Sequence, residues 1–167
     1  MKVTKIIYFK ISSIFWILLI VIFISLHIPI LLEHPLIWPD EAFIGDVASN
    51  ILKFGNPNTE IWGEFMPGSS ERLVAYPPFF LYLLAFWFKF LGINIINQRL
   101  LSLLISGAFI VIFYFFSKFF IKNEFPILSE VKSTLLAFLG SLLLILDPTF
   151  FRSSAISRPE ILGLLFV

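Results

Sequence analysis

The segment from Ile11 to Leu32 contains no Lys, Arg, Asp or Glu, and this feature constrains the fold most. A helix of that length can cross a bilayer core of about 30 Å. A cleaved signal peptide would have a shorter apolar region and a small-residue cleavage site. The apolar segment ends instead with Ile28-Pro29-Ile30-Leu31-Leu32, which contains no A-x-A cleavage pattern. We therefore expect an uncleaved first span over 11–32. Three lysines precede it, which predicts a cytoplasmic N-terminus.

The composition of the whole chain agrees with a membrane protein. Of its 167 residues, 59% are hydrophobic and 14% are charged, and the mean hydropathy is +0.96. Soluble domains are about 45–50% apolar and about 25% charged. The chain has no cysteine, which excludes a disulfide, a zinc-thiolate site and a thiol nucleophile. We find no basic and aromatic surface pattern, so no nucleic acid partner is expected, and the oligomeric state is left open.

Further apolar segments predict an all-α, polytopic integral membrane protein with about four spans. The second and third spans are expected at about 100–121 and 133–147. A fourth begins near 160 and is cut off at 167, because the sequence stops within an apolar run. We therefore expect the chain to be the N-terminal part of a longer protein.

The topology depends on the segment 78–91, which is short for a span. The connection bearing Lys118, Lys122 and Lys132 should face the cytoplasm, because basic loops favour that side. Only one crossing then fits between the outer loop and this connection, so 78–91 is expected to be an interfacial or re-entrant helix. In the alternative, 78–91 crosses fully and the sides of the later loops are exchanged.

The polar segment 33–99 is expected to form an outer loop with two interfacial helices. Apolar residues recur at helical spacing within 41–54, and Gly55 follows as a stop signal. Such an amphipathic helix would lie along the membrane surface. Tyr76-Pro77-Pro78 then forms a rigid entry to the second helix, at about 78–91, since proline suits a first helical turn.

Two adjacent carboxylates, Asp40 and Glu41, stand close after the first span. One interpretation is helix capping, since Asp is a good N-cap and Glu in a first turn interacts favourably with the helix dipole. The other is chemical, because a carboxylate at a membrane edge can act as a base or hold a metal ion. The two interpretations do not exclude each other.

The segment 150–160, expected as a connection between spans, carries Arg152, Arg158 and Glu160. These charges could anchor the membrane boundary. Arginines on the outer side oppose the positive-inside trend, however, and charge at a membrane edge often marks function. A guanidinium there could bind a phosphate through two parallel hydrogen bonds.

Five short motifs occur in a defined order along nearly the whole chain. They are Trp38-Pro39-Asp40-Glu41-Ala42, Ala48-Ser49-Asn50-Ile51-Leu52 ending at Gly55, Tyr76-Pro77-Pro78-Phe79-Phe80-Leu81-Tyr82, Asn97-Gln98-Arg99-Leu100 and Ser157-Arg158-Pro159-Glu160.

This order resembles that of the membrane-embedded GT-C glycosyltransferases, which include protein O-mannosyltransferases, lipid A aminoarabinose transferases and a bacterial polyprenyl-phosphate-sugar-dependent group. The resemblance implies transfer of a sugar from a polyprenyl-phosphate-linked donor to an acceptor on the outer face of the membrane. It places the chain in the bacterial inner membrane, in contact with lipid.

The resemblance also implies roles for individual residues. Asp40 would be the catalytic base or would hold a divalent cation such as Mg²⁺ or Mn²⁺, and Glu41 would support it. Glu160 would be the acid of the second outer segment, where many relatives have Asp. Arg158, together with Arg152, would bind the donor phosphate. Two other classes stay open, a transporter fragment with cation-binding carboxylates and a non-catalytic membrane assembly protein.

Overall fold

The computed structural model describes residues 2–33, 38–59, 61, 68–71 and 77–164. The described residues are helical and contain no strand, which confirms the all-α prediction. There are seven helices in this part of the chain: α1 (Lys2–Glu33), α2 (Pro39–Phe54), α3 (Pro78–Leu91), α4 (Ile95–Glu124), α5 (Glu130–Leu146), α6 (Pro148–Ala155) and α7 (Glu160–Gly163).

Two of the described helices are long and apolar enough to cross a membrane. They are Ser12–Leu31 within α1, and α4. A third crossing arises if α5 and α6, which are bent by 65° at the break between them, together make one span. The predicted spans 11–32 and 100–121 fall within α1 and α4. The predicted fourth span overlaps α7, but residues 165–167 lie outside the described part.

The residues divide into two compact units. The first comprises Met1–Ile28 and Ser106–Phe151, and the second comprises Pro29–Ile105 and Arg152–Val167.

In the first unit, small polar side chains lie inside the helix packing. Ser106, Ser133, Thr134 and Ser141 are all buried there. The hydroxyl of Ser141 donates to the carbonyl of Ala137 on its own helix at 2.8 Å. Small side chains allow helix backbones to approach closely, as they do in membrane bundles.

A polar cluster joins α1, α4 and α5 within the first unit. The hydroxyls of Ser12 and Tyr114 are 3.0 Å apart, and Tyr114 is fully buried. The ammonium of Lys118 donates to the Ser12 hydroxyl at 3.1 Å and pairs with Glu130 at 2.8 Å. Each of these polar groups therefore has a partner inside the helix bundle.

The second unit is built around α2 and α3, which pack against each other. The buried apolar residues of α2 are Phe43, Ile44, Val47, Ala48 and Ile51. The helical spacing predicted the last four, whereas Leu52, which shares that spacing, is exposed. Gly55 ends α2 with φ 79°, and its N–H donates to the carbonyl of Ile51. This left-handed conformation suits glycine, so the predicted stop signal is confirmed.

Helix α3 begins at Pro78, directly after Pro77, and its buried face meets α2. Tyr76, the start of the predicted rigid entry, lies outside the described residues. Fourteen residues at 1.5 Å each give α3 a length of about 21 Å, shorter than a bilayer core of about 30 Å. The placement of 78–91 as an interfacial or re-entrant helix stays a prediction.

Asparagines fix the corner between α3 and α4. The side-chain amide of Asn97 donates to the carbonyls of Leu91 and Gly92, which end α3. The Asn94 side chain accepts the backbone N–H of Asn97 at 2.8 Å and caps the start of α4. Helix α4 therefore begins at Ile95, earlier than the predicted start of the span at residue 100.

The expectation of a plain connection over 150–160 was wrong, because α6 occupies its first half. Asp147 accepts the backbone N–H of Phe150 at 2.8 Å, and Pro148 stands at the first helical position. Both are helix-start features, since a cap satisfies an orphan N–H and proline needs none. Arg152 is consequently a helical residue, whereas Arg158 lies in the segment between α6 and α7.

Candidate functional site

The start of α2 holds the acidic motif in a defined geometry. Trp38 is the N-cap and Pro39 the first helical residue, so Asp40 and Glu41 take the second and third positions. The carboxylate of Glu41 accepts the backbone N–H of Trp38 at 3.1 Å. Glu41 thus closes the first turn, as a glutamate in a capping box does. The interpretation of Asp40 as the capping residue was wrong.

Glu41 is completely buried, and Arg99 is its ionic partner. Nε of Arg99 donates to Oε1 at 2.9 Å and an Nη donates to Oε2 at 2.8 Å, which makes the pair bidentate. The Arg99 side chain is only 5% exposed. A buried carboxylate needs such a partner, because leaving one charge alone in the interior is costly.

Two further contacts attach the start of α2 to other segments. The backbone N–H of Ser157 donates to Oε1 of Glu41 at 2.9 Å, across 116 positions of the sequence. The side-chain amide of Gln98 donates to the backbone carbonyl of Glu41 at 2.8 Å. We call Glu41, Arg99, Gln98 and Ser157 the clamp, because together they fix the first turn of α2 to α4 and to the turn after α6.

The contacts of the clamp determine the charge state of Glu41. Burial by itself would raise the pKa of the carboxyl. The hydrogen bonds from Arg99, Ser157 and Trp38, together with the charge of Arg99, outweigh burial and hold the pKa below its ordinary value. Glu41 is therefore ionised in the folded protein. Its oxygens already accept four N–H groups, which leaves little capacity for a substrate.

Asp40 has a different environment from that of its neighbour. It is partly exposed, and one of its oxygens accepts the indole N–H of Trp38 at 3.2 Å. Among the described residues, no Lys or Arg side chain forms an ion pair with Asp40. Of the two carboxylates, Asp40 is the one that a molecule from outside can reach.

The indole of Trp38 is also contacted by Arg152, a residue of α6 that is distant in the sequence. Its guanidinium carbon lies 5.1 Å from the centroid of the Trp38 ring, within the distance of a cation–π contact. Trp38 is 40% exposed, and Arg152 is exposed as well. The carboxylate of Asp40, the indole of Trp38 and the guanidinium of Arg152 therefore form one surface cluster, which we call the acid–indole–guanidinium cluster.

Arg158 and Glu160 stand apart from this cluster. They pair with each other at 3.8 Å, with side chains 30% and 65% exposed. Within the described structure, neither forms a hydrogen bond or an ion pair with Asp40. The backbone N–H of Ser157 links their turn to Glu41. The structure thus joins two predicted site residues, Asp40 and Arg152, through Trp38, and it pairs a third, Glu41, with Arg99, which was not predicted.

The divalent cation that the resemblance implies stays a prediction. Among the described residues, no three His, Asp or Glu side chains are grouped so that they could hold a metal ion. Mg²⁺ is usually bound through one or two carboxylates with waters and substrate phosphates. Of the two adjacent carboxylates, Asp40 is the one that could contribute to such a site, because the oxygens of Glu41 are occupied by the clamp.

Sequence reasoning assigned no role to Arg99, Gln98 or Trp38 as site residues. The signal for Arg99 was present, since a charged residue at the opening of a span generally has a partner and a purpose. Its pairing with Glu41, 58 positions away, could not be inferred from spacing. The role of Trp38 depends on Arg152, and only the folded chain brings the two together.

Comparison of the chain with protein-family models, with curated proteins and with solved structures found no match.

Proposed function

We propose that this chain is the N-terminal, membrane-embedded part of a GT-C-type glycosyltransferase. It would transfer a sugar from a polyprenyl-phosphate-linked donor to an acceptor hydroxyl at the outer face of a membrane. The acid–indole–guanidinium cluster carries the proposal. A sugar transfer of this kind needs a base for the acceptor and a positive charge for the departing phosphate, and the cluster offers one of each.

Each group of the cluster has a defined part in the proposed step. The carboxylate of Asp40 takes the proton of the acceptor hydroxyl, whose oxygen forms a new bond to the anomeric carbon of the sugar. The bond from that carbon to the phosphate oxygen breaks, and its electron pair leaves with the polyprenyl phosphate. The guanidinium of Arg152 stabilises the negative charge of this leaving group through charge-assisted hydrogen bonds.

Glu41 serves this site as a positioning residue in the proposal. The clamp determines where the first turn of α2 lies, and Asp40 is the residue before Glu41. Holding a reacting group in one geometry lowers the barrier of the reaction, and small displacements are costly. Arg158 and Glu160 border the same turn, and their predicted roles in phosphate binding and catalysis stay predictions.

A transfer assay in membranes tests the proposal. The full-length protein is expressed in cells lacking it, and isolated membranes are supplied with a labelled polyprenyl-phosphate sugar and acceptor. We expect wild-type membranes to transfer the label. Asp40→Asn should lower the transfer rate at least a hundredfold, since general base catalysis contributes about 10²–10⁴-fold.

Glu71→Gln is the matched control. Glu71 is another exposed acid of the predicted outer loop, and it has no described contact with Trp38. This variant should transfer sugar at the wild-type rate. Normal transfer by Asp40→Asn, at a wild-type level of protein in the membrane, would refute the role of Asp40. A wild-type protein that binds a cation but transfers no sugar would instead support the transporter interpretation.

A further inference from the structure

Trp38 contacts both groups to which the proposed transfer assigns chemistry. Its indole N–H donates to Asp40 at 3.2 Å, and its ring lies 5.1 Å from the guanidinium carbon of Arg152. The ion pairs of the described structure do not include one between Asp40 and Arg152. The acid and the cation thus share one aromatic side chain without neutralising each other.

We propose that Trp38 is a positioning residue that keeps the Asp40 carboxylate and the Arg152 guanidinium apart, so that both are available to substrate. The inference rests on the proposed function. In this inference Trp38 neither transfers a proton nor binds the phosphate. It determines the positions of the two groups that do, Asp40 and Arg152.

Trp38 can hold its indole in one place because both its backbone N–H and its backbone carbonyl are hydrogen-bonded. The backbone N–H of Trp38 donates to Glu41, and its carbonyl accepts the backbone N–H of Glu41 at 2.9 Å. Pro39 follows, and its ring fixes the backbone angle at the first helical position. Glu41 is itself held by Arg99, so the clamp sets the place from which the indole projects.

An indole also has the electrostatic pattern that this position requires. Its face carries the negative part of the ring quadrupole and attracts a guanidinium. Its edge carries a single N–H, which can donate to a carboxylate. Phenylalanine would provide the face without the donor, and leucine would provide neither.

Loss of the indole would let the two charged groups meet. A guanidinium and a carboxylate form strong, often bidentate, hydrogen bonds when nothing separates them. A carboxylate paired in this way holds a proton less readily, and a paired guanidinium has fewer donors for a phosphate. Both parts of the proposed step would then be weakened by one substitution.

Kinetics of four variants of the full-length protein test this inference. Arg152→Gln alone should raise the KM for the polyprenyl-phosphate sugar and lower kcat, but by less than Trp38→Leu does, because Asp40 stays available as the base. Trp38→Leu should raise that KM and also lower kcat by about a hundredfold, the lower end of a general base's contribution. Trp38→Phe retains the ring face and loses only the N–H donor to Asp40, so its kcat should fall by less than that of Trp38→Leu.

The double variant Trp38→Leu with Arg152→Gln gives the decisive comparison. Removing the guanidinium frees Asp40, so its kcat should return to that of Arg152→Gln alone. A Trp38 side chain that served folding only would not allow this rescue. A double variant with the low kcat of Trp38→Leu, while the wild-type protein is active, would overturn the inference and leave the proposed function standing.

Fluorescence provides a readout that does not depend on transfer. The emission of Trp38 is isolated as the difference between the wild-type protein and Trp38→Phe. The same difference, measured in the Arg152→Gln background, should change in intensity or wavelength, because the guanidinium no longer lies over the ring. An identical difference spectrum would contradict the contact on which the inference depends. A changed spectrum in a wild-type protein that transfers no sugar would overturn the proposed function, and with it the positioning role.

Discussion

Arg99→Ala removes the cationic partner of a carboxylate that is completely buried. The variant loses both hydrogen bonds of the bidentate pair, at 2.9 and 2.8 Å, and leaves Glu41 without an opposite charge. Breaking a buried ion pair from one side typically costs about 3–5 kcal/mol. Two backbone N–H groups still donate to Glu41, so we expect the lower half of this range, about 3–4 kcal/mol at pH 7.

The pH dependence of this loss has a defined sign. The pKa of Glu41 in the wild-type protein lies below its ordinary value, so its stabilising contribution is present above about pH 4.3. That contribution is lost only as the pH falls through the lower, folded-state pKa. In Arg99→Ala the burial remains and the cation is gone, so the pKa of Glu41 should rise. The buried acid then becomes neutral on acidification, and the cost of the substitution should shrink from pH 7 to pH 5.

The free energy of unfolding of the detergent-solubilised protein, measured by denaturant titration at pH 7 and pH 5, tests both statements. Arg158→Ala is the matched control, since Arg158 is an arginine of the same unit whose 3.8 Å pair with Glu160 is exposed. Its loss should cost less than about 1 kcal/mol at either pH.

Glu41→Gln combined with Arg99→Ala separates charge from packing. The double variant no longer buries a charge, so it should be more stable at pH 7 than Arg99→Ala alone. The difference in free energy of unfolding between the double variant and the wild-type protein should also be the same at pH 7 and at pH 5. The reasoning is refuted if Arg99→Ala is as stable as Arg158→Ala, or if acidification enlarges its loss of stability.

Two further substitutions test the packing of each unit. In Gly45→Ala the new Cβ would lie 2.5 Å from the side-chain oxygen of Gln98, so that amide must move. Because Gln98 is buried and its amide donates to the Glu41 carbonyl, we expect a loss of about 1–3 kcal/mol. Gly140→Ala, in open space, should be neutral or slightly stabilising. Thermal unfolding of both variants in one detergent decides this, and equal melting temperatures would contradict the close contact. Tyr114→Phe removes a buried hydroxyl bonded to α1 and should cost about 1 kcal/mol, while Tyr82→Phe, at an exposed position, should cost nearly nothing. The same thermal unfolding experiment compares these two variants. A larger fall in melting temperature for Tyr82→Phe than for Tyr114→Phe would refute a stabilising role of the Tyr114 hydroxyl.

The helices were largely predictable because their signals are local. The apolar run of α1, the amphipathic face of α2 and the Gly55 stop each depend on neighbours within a few turns. The starts of α4 and α6 were missed, since Asn94 and Asp147 act as caps, and a polar residue before a helix can equally belong to a loop.

The candidate site was predictable only in its residue types. Charge placed next to apolar segments drew attention to Asp40, Glu41 and Arg152, because such placement is costly without a use. Spacing gave no means of telling the two neighbouring carboxylates apart. One side chain is buried under Arg99 and the other is open, a difference that arises from packing.

The sequence by itself determined that this chain is helical, where its long apolar helices run, and which charged residues lie beside them. Those properties follow from periodicity and composition, which act over short distances along the chain. Only the tertiary structure decided that Glu41 belongs to a clamp and Asp40 to a surface cluster. The reason is that their partners, Arg99, Ser157 and Arg152, are distant in sequence and meet them through packing of separate helices.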